Sequence, residues 1–285
     1  MSYRFIDQHK KVWPICLMCE VLNVSRSGFH AWRTRSIGEQ ERSNRQLDPQ
    51  IRTIFADHKQ RYGAPRIVDE LRDLGLPCSK NRVARRMKNM GLRAIQAKKF
   101  KVTTDSNHNK PVAPDLLEQN FTAAKANEKW VSDITYIWTD EGWLYLAVVM
   151  DLYSRAIVGW AMAKRMTQQL VMDALSMALF RRKFPKKTII HSDHGSQYCS
   201  AAYQKLIKKA GLRCSMGRRA NCYDNAAMES FFHTLKVELI HRVRYATRRS
   251  ASAAVFEYIE VYYNRKRKHS AIGHHVPMQF EQQRA

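Results

Sequence analysis

Apolar positions recur along this chain in two rhythms, and the change from one to the other near residue 129 divides it. Before that point they fall in short helical clusters. Residues 15–22 predict one helix, broken at Asn23, and residues 25–33 predict a second, basic one. Two short helices on a tight turn outline a helix-turn-helix. A second helical set follows at 51–59, 65–74 (closed by Gly75) and 80–90, with Ser79 as N-cap and Gly91 as terminator. Residues 98–128 carry Pro111, Pro114 and a charged run, the pattern of a linker, with a short helical patch predicted at 116–121. Beyond it the pattern becomes that of strands. Residues 130–138 are aromatic and β-branched, 143–150 are continuously apolar, and 156–162 form a third run. The links between them are short, so the three predict an antiparallel meander. Val171, Ala174, Leu175, Ala178 and Leu179 then mark an amphipathic helix. Strands at 188–191 and 212–216 alternate with helices at 202–210, 224–239 and 251–264. The order β-β-β-α-β-α-β-α predicts an α/β core: a mixed five-stranded sheet with flanking helices, preceded by all-α modules. The expected divisions are 1–38, 39–97, 98–128, 129–242 and 243–285.

Charge adds a partner to this outline. The formal net charge of the 285 residues is +24. The first hundred residues carry +12 of it and the last forty-five carry +6. A one-signed field of this size attracts a polyanion, because each phosphate contact releases condensed counterions. Arg26 and Arg33 in the first module, and Lys80, Arg82, Arg85 and Arg86 in the second, are the expected DNA contacts; a plain solvated helix face is the alternative for each. No apolar run is long enough to cross a bilayer and residues 1–11 hold no signal-peptide core, so a cytoplasmic, nucleoid-associated location is expected. The six cysteines form no disulfide pattern. Cys16 and Cys19 make a C-x-x-C pair with no second ligand pair at a suitable distance, so they read as two apolar residues of one helix face rather than a zinc site.

Carboxylates change the picture again. Asp133 stands inside an apolar strand, where an acid is costly unless paired or bound to metal. Asp193 follows a strand at its C-terminal end, where sites gather in α/β sheets. Glu229 shares a predicted helix face with His233 and Lys236. Three hard oxygen ligands from separate elements suit Mg²⁺ or Mn²⁺, and two such ions would serve in-line displacement at phosphorus. Taken singly, each acid could equally be hydrogen-bonded, capping a turn, or solvated.

Thirty-five residues separate Asp193 from Glu229, and the set resembles the D-D-(35)-E signature of retroviral integrases and related transposases. The local words resemble a narrower group, the OrfB-type transposases of bacterial copy-out, paste-in insertion sequences. They are Trp130-Val-Ser-Asp-Ile-Thr-Tyr136, the run from Asp140 through Asp151 to Arg155, His191-Ser-Asp-His-Gly-Ser-Gln-Tyr198, the run from Tyr223 to Glu238, and Tyr262-Tyr-Asn-Arg-Lys-Arg-Lys-His-Ser270 with Gly273 and Pro277. Arg61-Tyr-Gly-Ala-Pro-Arg66 resembles the same group's second helical module. The resemblance implies an RNase H-like catalytic core with Asp133, Asp193 and Glu229 as catalytic metal ligands for two Mg²⁺ or Mn²⁺ ions. It implies Lys236 as a DNA contact and Asn225 as a residue positioning the helix or the DNA. Asp151 is expected to serve a turn or an ion pair with Arg155, and Asp224 to cap the catalytic helix. The implied activity is strand cleavage by water, freeing a 3′-OH that attacks a second phosphodiester. The implied partners are double-stranded DNA (terminal inverted repeats and target) and further copies of the chain on that DNA. An upstream-frame OrfA protein, or fusion to it, is also implied, since this chain has no heptad zipper. Two alternatives stand beside this reading: an RNase H-type nuclease, and a non-catalytic repressor or architectural protein.

Overall fold

A computed structural model describes residues 2–34, 38–95, 113–217 and 225–284. At the N-terminus, α1 (Ser2–His9), α2 (Ile15–Val21) and α3 (Arg26–Thr34) close around Ile6, Met18, Cys19 and Phe29. The turn between α2 and α3 passes through Asn23 at φ 50, a left-handed position that Asn tolerates, and Ser25 Oγ accepts the Gly28 N–H at 3.1 Å to start α3. Cys19 belongs to this small core while Cys16 is exposed. The helix α1 was not expected from sequence; its lone buried residue, Ile6, sets no visible period.

The second set is α4 (Glu39–Asp57), α5 (Ala64–Asp73) and α6 (Lys80–Asn89). The structure extends the first of these twelve residues upstream of the expected start at 51, through Pro49. Proline removes one backbone donor and normally signals a boundary; here Asn44, Leu47, Ile51, Ile54 and Phe55 are buried along one continuous face, and tertiary packing carries the helix across it. The patch at 116–121 docks but is not helical. Leu117 is buried, Asp115 Oδ1 accepts the N–H groups of Leu117 and Glu118, and Glu118 and Gln119 adopt positive φ, which ends the turn at once.

β1 (Lys129–Thr139), β2 (Gly142–Asp151) and β3 (Ile157–Ala163) form the antiparallel meander. β4 (Ile189–Ser192) adds parallel to β1, and β5 (Arg213–Met216) parallel to β4, giving the order β3-β2-β1-β4-β5. α7 (Gln168–Arg181) and α8 (Ala201–Ala210) cover one face over Trp130, Ala147, Val149, Val158 and Ile190. Contact between α7 and β3 requires Gly159, since a Cβ there would meet the Ala174 carbonyl oxygen at 2.2 Å.

The other face presents Val131, Ile137, Leu146, Val148 and Met150. It packs in one continuous core with α9 (Ala226–Glu238), α10 (Arg248–Phe256) and the second helical set. The helix expected over 251–264 is α10 continued as a π-helical stretch, Glu257–Tyr263, and a further helix, α11 (Pro277–Gln282), follows. No helix among the described residues is long and apolar enough to cross a membrane.

Candidate active site

Side chains alternate along β1, so Asp133 falls on the same face as Val131 and Ile137, the face that α9 covers. The parallel ladder pairs Val131 with His191. Two residues further along each strand lie Asp133 and Asp193, abreast at the end of that ladder. The Asp193 loop is fixed by the Gly195 N–H, which donates to Asp193 Oδ1 at 2.9 Å, and by a turn in which Tyr198 and Cys199 donate to the Gly195 carbonyl. Buried Tyr198 ties the loop back to β1 through a 3.1 Å hydroxyl contact with Ser132. α9 seats Ala227, Met228, Phe231, Phe232 and Leu235 in the core, leaving Glu229 exposed in its first turn and Lys236 half-buried two turns on.

The electrostatics join these groups. Burial pushes the Asp133 carboxyl well above its usual range, and the charges of Asp193 and Glu229 push it further; the Ile134 N–H, 2.7 Å from Oδ1, and Lys236 oppose them. Burial raises Glu229 as well. Lys236 is lowered by burial and held up by Asp133, and its ammonium sits 5.1 Å from the Tyr136 ring centre. Among the described residues no three His, Cys, Asp or Glu side chains stand close enough together to hold a metal ion as placed. The donor set nonetheless fits one in kind: three carboxylates, one destabilised by the other two, are what a hard cation relieves.

Asn225 occupies the N-cap position of α9, where sequence had placed Asp224, which lies outside the described residues. Its side chain makes no capping bond, and its buried Oδ1 has no partner among the described residues.

Asp151 is fully buried on a different task. Its carboxylate accepts the N–H groups of Asn127 and Tyr153 at 2.8 and 3.0 Å and the Trp130 indole N–H at 3.4 Å. Its ion partner is Arg182 at 3.9 Å, not Arg155 as sequence suggested. Arg155 turns away at φ 63 and donates to the Ala227 carbonyl on α9. Burial pushes the Asp151 carboxyl up to about 6.

Glu238, the last residue of α9, is a buried hub. Arg267 donates to it from Nε and Nη2, Tyr258 donates its hydroxyl at 2.9 Å, Arg66 lies 3.7 Å away, and Arg61 Nε donates to its carbonyl. Within the basic run 265–268, Arg267 and Lys268 are buried with His269. The aromatic spacing of Tyr258, Tyr262 and Tyr263 just before it was the available signal. Sequence also passed over Trp138 and Trp143. They stack edge to face, stay 56% and 42% exposed, and line with Tyr136 and Lys236 a recess of about 520 Å³.

The expected DNA contacts divide. Arg26, Lys80 and Arg85 are exposed. Arg33 is half exposed, 3.9 Å from Asp7. Arg82 donates to Ser43 and Asn44, and Arg86 donates to both carboxylate oxygens of Asp48, so these two guanidinium groups bind α6 to α4.

Residues 123–222 match the family model described as integrase core domain, 229–284 a second model so described, and 41–100 an HTH-like domain. The first contains Asp133 and Asp193; the second begins at Glu229. The chain is 50% identical over 284 residues to the transposase InsF for insertion sequence IS3A of Escherichia coli (strain K12), spanning 99% of this chain and 98% of that one. It is 44% identical over 265 residues to the insertion element IS600 uncharacterized 31 kDa protein of Shigella sonnei, spanning 93% and 97%. Among solved structures it is similar to a simian T-cell lymphotropic virus intasome chain, with TM-score 0.47 and 15% identity over 80% of this chain and 73% of that one.

Proposed function

The chain belongs to the InsF transposases of IS3-type insertion sequences, and from that membership we propose that Asp133, Asp193 and Glu229 form a metal-dependent site that cleaves and joins DNA strands. The observation that carries the reading is Asp133 itself: a half-buried carboxyl raised by desolvation and then by two neighbouring acids, on the sheet face that α9 covers.

The three carboxylates would hold two Mg²⁺ or Mn²⁺ ions. Bound there, the ions would lower the pKa of an attacking hydroxyl and stabilise the leaving oxygen. The protein's own contribution is positional. The Gly195 N–H orients Asp193, the Ile134 N–H orients Asp133, and α9 holds Glu229 and Lys236 along the same edge. Lys236 faces the anionic site with its ammonium partly desolvated, a suitable neighbour for a DNA phosphate. The chain acts on the double-stranded ends of its element and on target DNA. Two ends must meet, so the working form is an oligomer on DNA. An upstream-frame OrfA protein is the expected heterologous partner.

The test is strand transfer on end-containing DNA with Mg²⁺. Asp193→Asn and Glu229→Gln should each lose roughly 10³-fold or more of joined product, and the double variant should lose little beyond either single one, as groups acting as a unit do. Joining that survives Asp193→Asn would exclude the triad, and cleavage confined to RNA–DNA hybrids would replace the transposase reading by a nuclease.

A further inference from the structure

Between α9 and the C-terminal tail lies a small recess of about 90 Å³, lined by Arg66, Arg155, Arg267, His269, Ser230 and Thr234. It sits on the flank of α9 away from Lys236, and none of its residues belongs to the acidic set. Arg267 commits Nε and Nη2 to Glu238, and its Nη1 lies 3.2 Å from His269 Nδ1. A guanidinium has no lone pair to offer, so Nδ1 is the acceptor and the ring proton resides on Nε2. That Nε2 is buried, in a side chain more than nine-tenths buried, and makes no well-formed hydrogen bond among the described residues, the Tyr263 carbonyl being near enough only to bias the ring toward its protonated form. Arg155 Nε–H is in the same condition. Two buried donors in one recess thus form no hydrogen bond among the described residues, a condition that native proteins rarely leave unrelieved.

The charge balance points the same way. Three guanidinium groups line the recess, and the acid behind them, Glu238, is already engaged by Arg267 and Tyr258. Burial and then Arg267, Arg155 and Arg66 push His269 well below its usual range, opposed by the Tyr263 carbonyl. A histidine kept neutral among cations cannot itself be the counter-charge. The donors suit a compact anion with several acceptor oxygens approached from different sides, a geometry that arginine forks and hydroxyls supply for phosphoryl oxygens.

We propose that this recess is a seat for a phosphoryl group, bound by Arg155, His269 Nε2–H and Arg66 and distinct from the acidic site. Two sources share that chemistry: a backbone phosphate of DNA lying along α9, and free phosphate. The DNA source rests on the transposase reading, whereas the seat does not.

The experiment uses the full chain without divalent metal, so that no catalysis enters. The ¹⁵N resonance of His269 Nε2 is followed as inorganic phosphate is added, against chloride at matched ionic strength. A saturable shift with phosphate alone is expected, and Arg155→Gln should weaken it at least tenfold. No phosphate-specific shift in the wild-type chain overturns the seat, whatever the variant does. In the second arm, element-end duplex should displace the phosphate, and Arg155→Gln should lower the log–log salt slope of DNA binding by about 0.9, one phosphate contact. A phosphate shift with neither displacement nor a slope change retains the seat and assigns it to free phosphate. A seat that fills while the chain binds no DNA counts against the transposase reading and leaves the seat standing.

Discussion

His58 and Tyr62 lie face to face, ring centres 3.6 Å apart and planes within 12°. Burial pushes the imidazole down to about 4, and Lys268, Lys266 and Arg61 add to that against Asp57. The folded pKa is therefore below the unfolded value near 6.5, so the unfolded chain binds the proton more readily. The contribution is fully present above pH 6.5 and is lost as pH falls toward 4. Glu70, 3.8 Å from Nε2, tempers the loss, which is of order 1–3 kcal/mol. Asp151, raised to about 6, works in the opposite direction, so the effect is read as a difference. Urea unfolding at pH 7 and pH 4.5 should show His58→Phe, which keeps the stack, losing about 1–3 kcal/mol less than the wild-type chain; identical losses would dismiss the desolvated histidine. The same kind of residue reasoning made Asp133 legible in sequence, as an acid within an apolar strand. It would have marked Asp151 equally well. What separates them is partners: Asp151 meets backbone N–H groups and Arg182, whereas Asp133 meets other acids. Burial alone does not assign a role.

Elements of strong period were legible nearly to the residue. α6 ends one residue short of its expected bound, and β1 to β5 each fall within a residue or two. Failures came where a local signal was overruled by packing, as at Pro49, or where no period exists, as in α1. Charge on an element was less legible than its bounds. α6 reads as a uniformly cationic face, but Asp48, which takes up Arg86, is 38 residues away in sequence. The four expected contacts on α6 should therefore separate by experiment. Lys80→Ala and Arg85→Ala, both exposed, should each reduce the salt slope of DNA binding by about 0.9 with little change in stability. Arg86→Ala should leave the slope nearly unchanged and cost about 1–3 kcal/mol of stability, because Asp48 loses the donors that hold its carboxyl below its usual range. A slope change with Arg86→Ala equal to that of Arg85→Ala would mean that the ion pair opens on DNA.

Changes of pattern at 39, 98, 129 and 243 suggested separate modules, and across the whole molecule the cohesion is unequal. α1 to α3 close on their own small core. From α4 onward one core runs through the second helical set, one sheet face, α9, α10 and the tail. Polar contacts follow it: Lys268 pairs with Asp73 at 2.6 Å, Tyr62 accepts the Lys268 N–H, and Glu238 joins Arg66, Arg267 and Tyr258. None of these long-range pairings has a sequence signature, because each residue type is ordinary and only the fold brings the partners together. Glu238 is the point where the unity can be tested. Glu238→Gln leaves Arg267, 4% exposed, without its counter-charge, and removing one partner of a buried pair costs about 3–5 kcal/mol. If the core is one cooperative unit, hydrogen exchange in α5, α9 and the 258–269 segment should open at a common free energy and fall together in the variant. α2 and α3 should be unaffected. Exchange in α5 that ignores Glu238→Gln would show that the helical set opens apart from the five-stranded sheet. The acids of the proposed site would then be positioned without it, through the sheet and the α9–α10 packing alone.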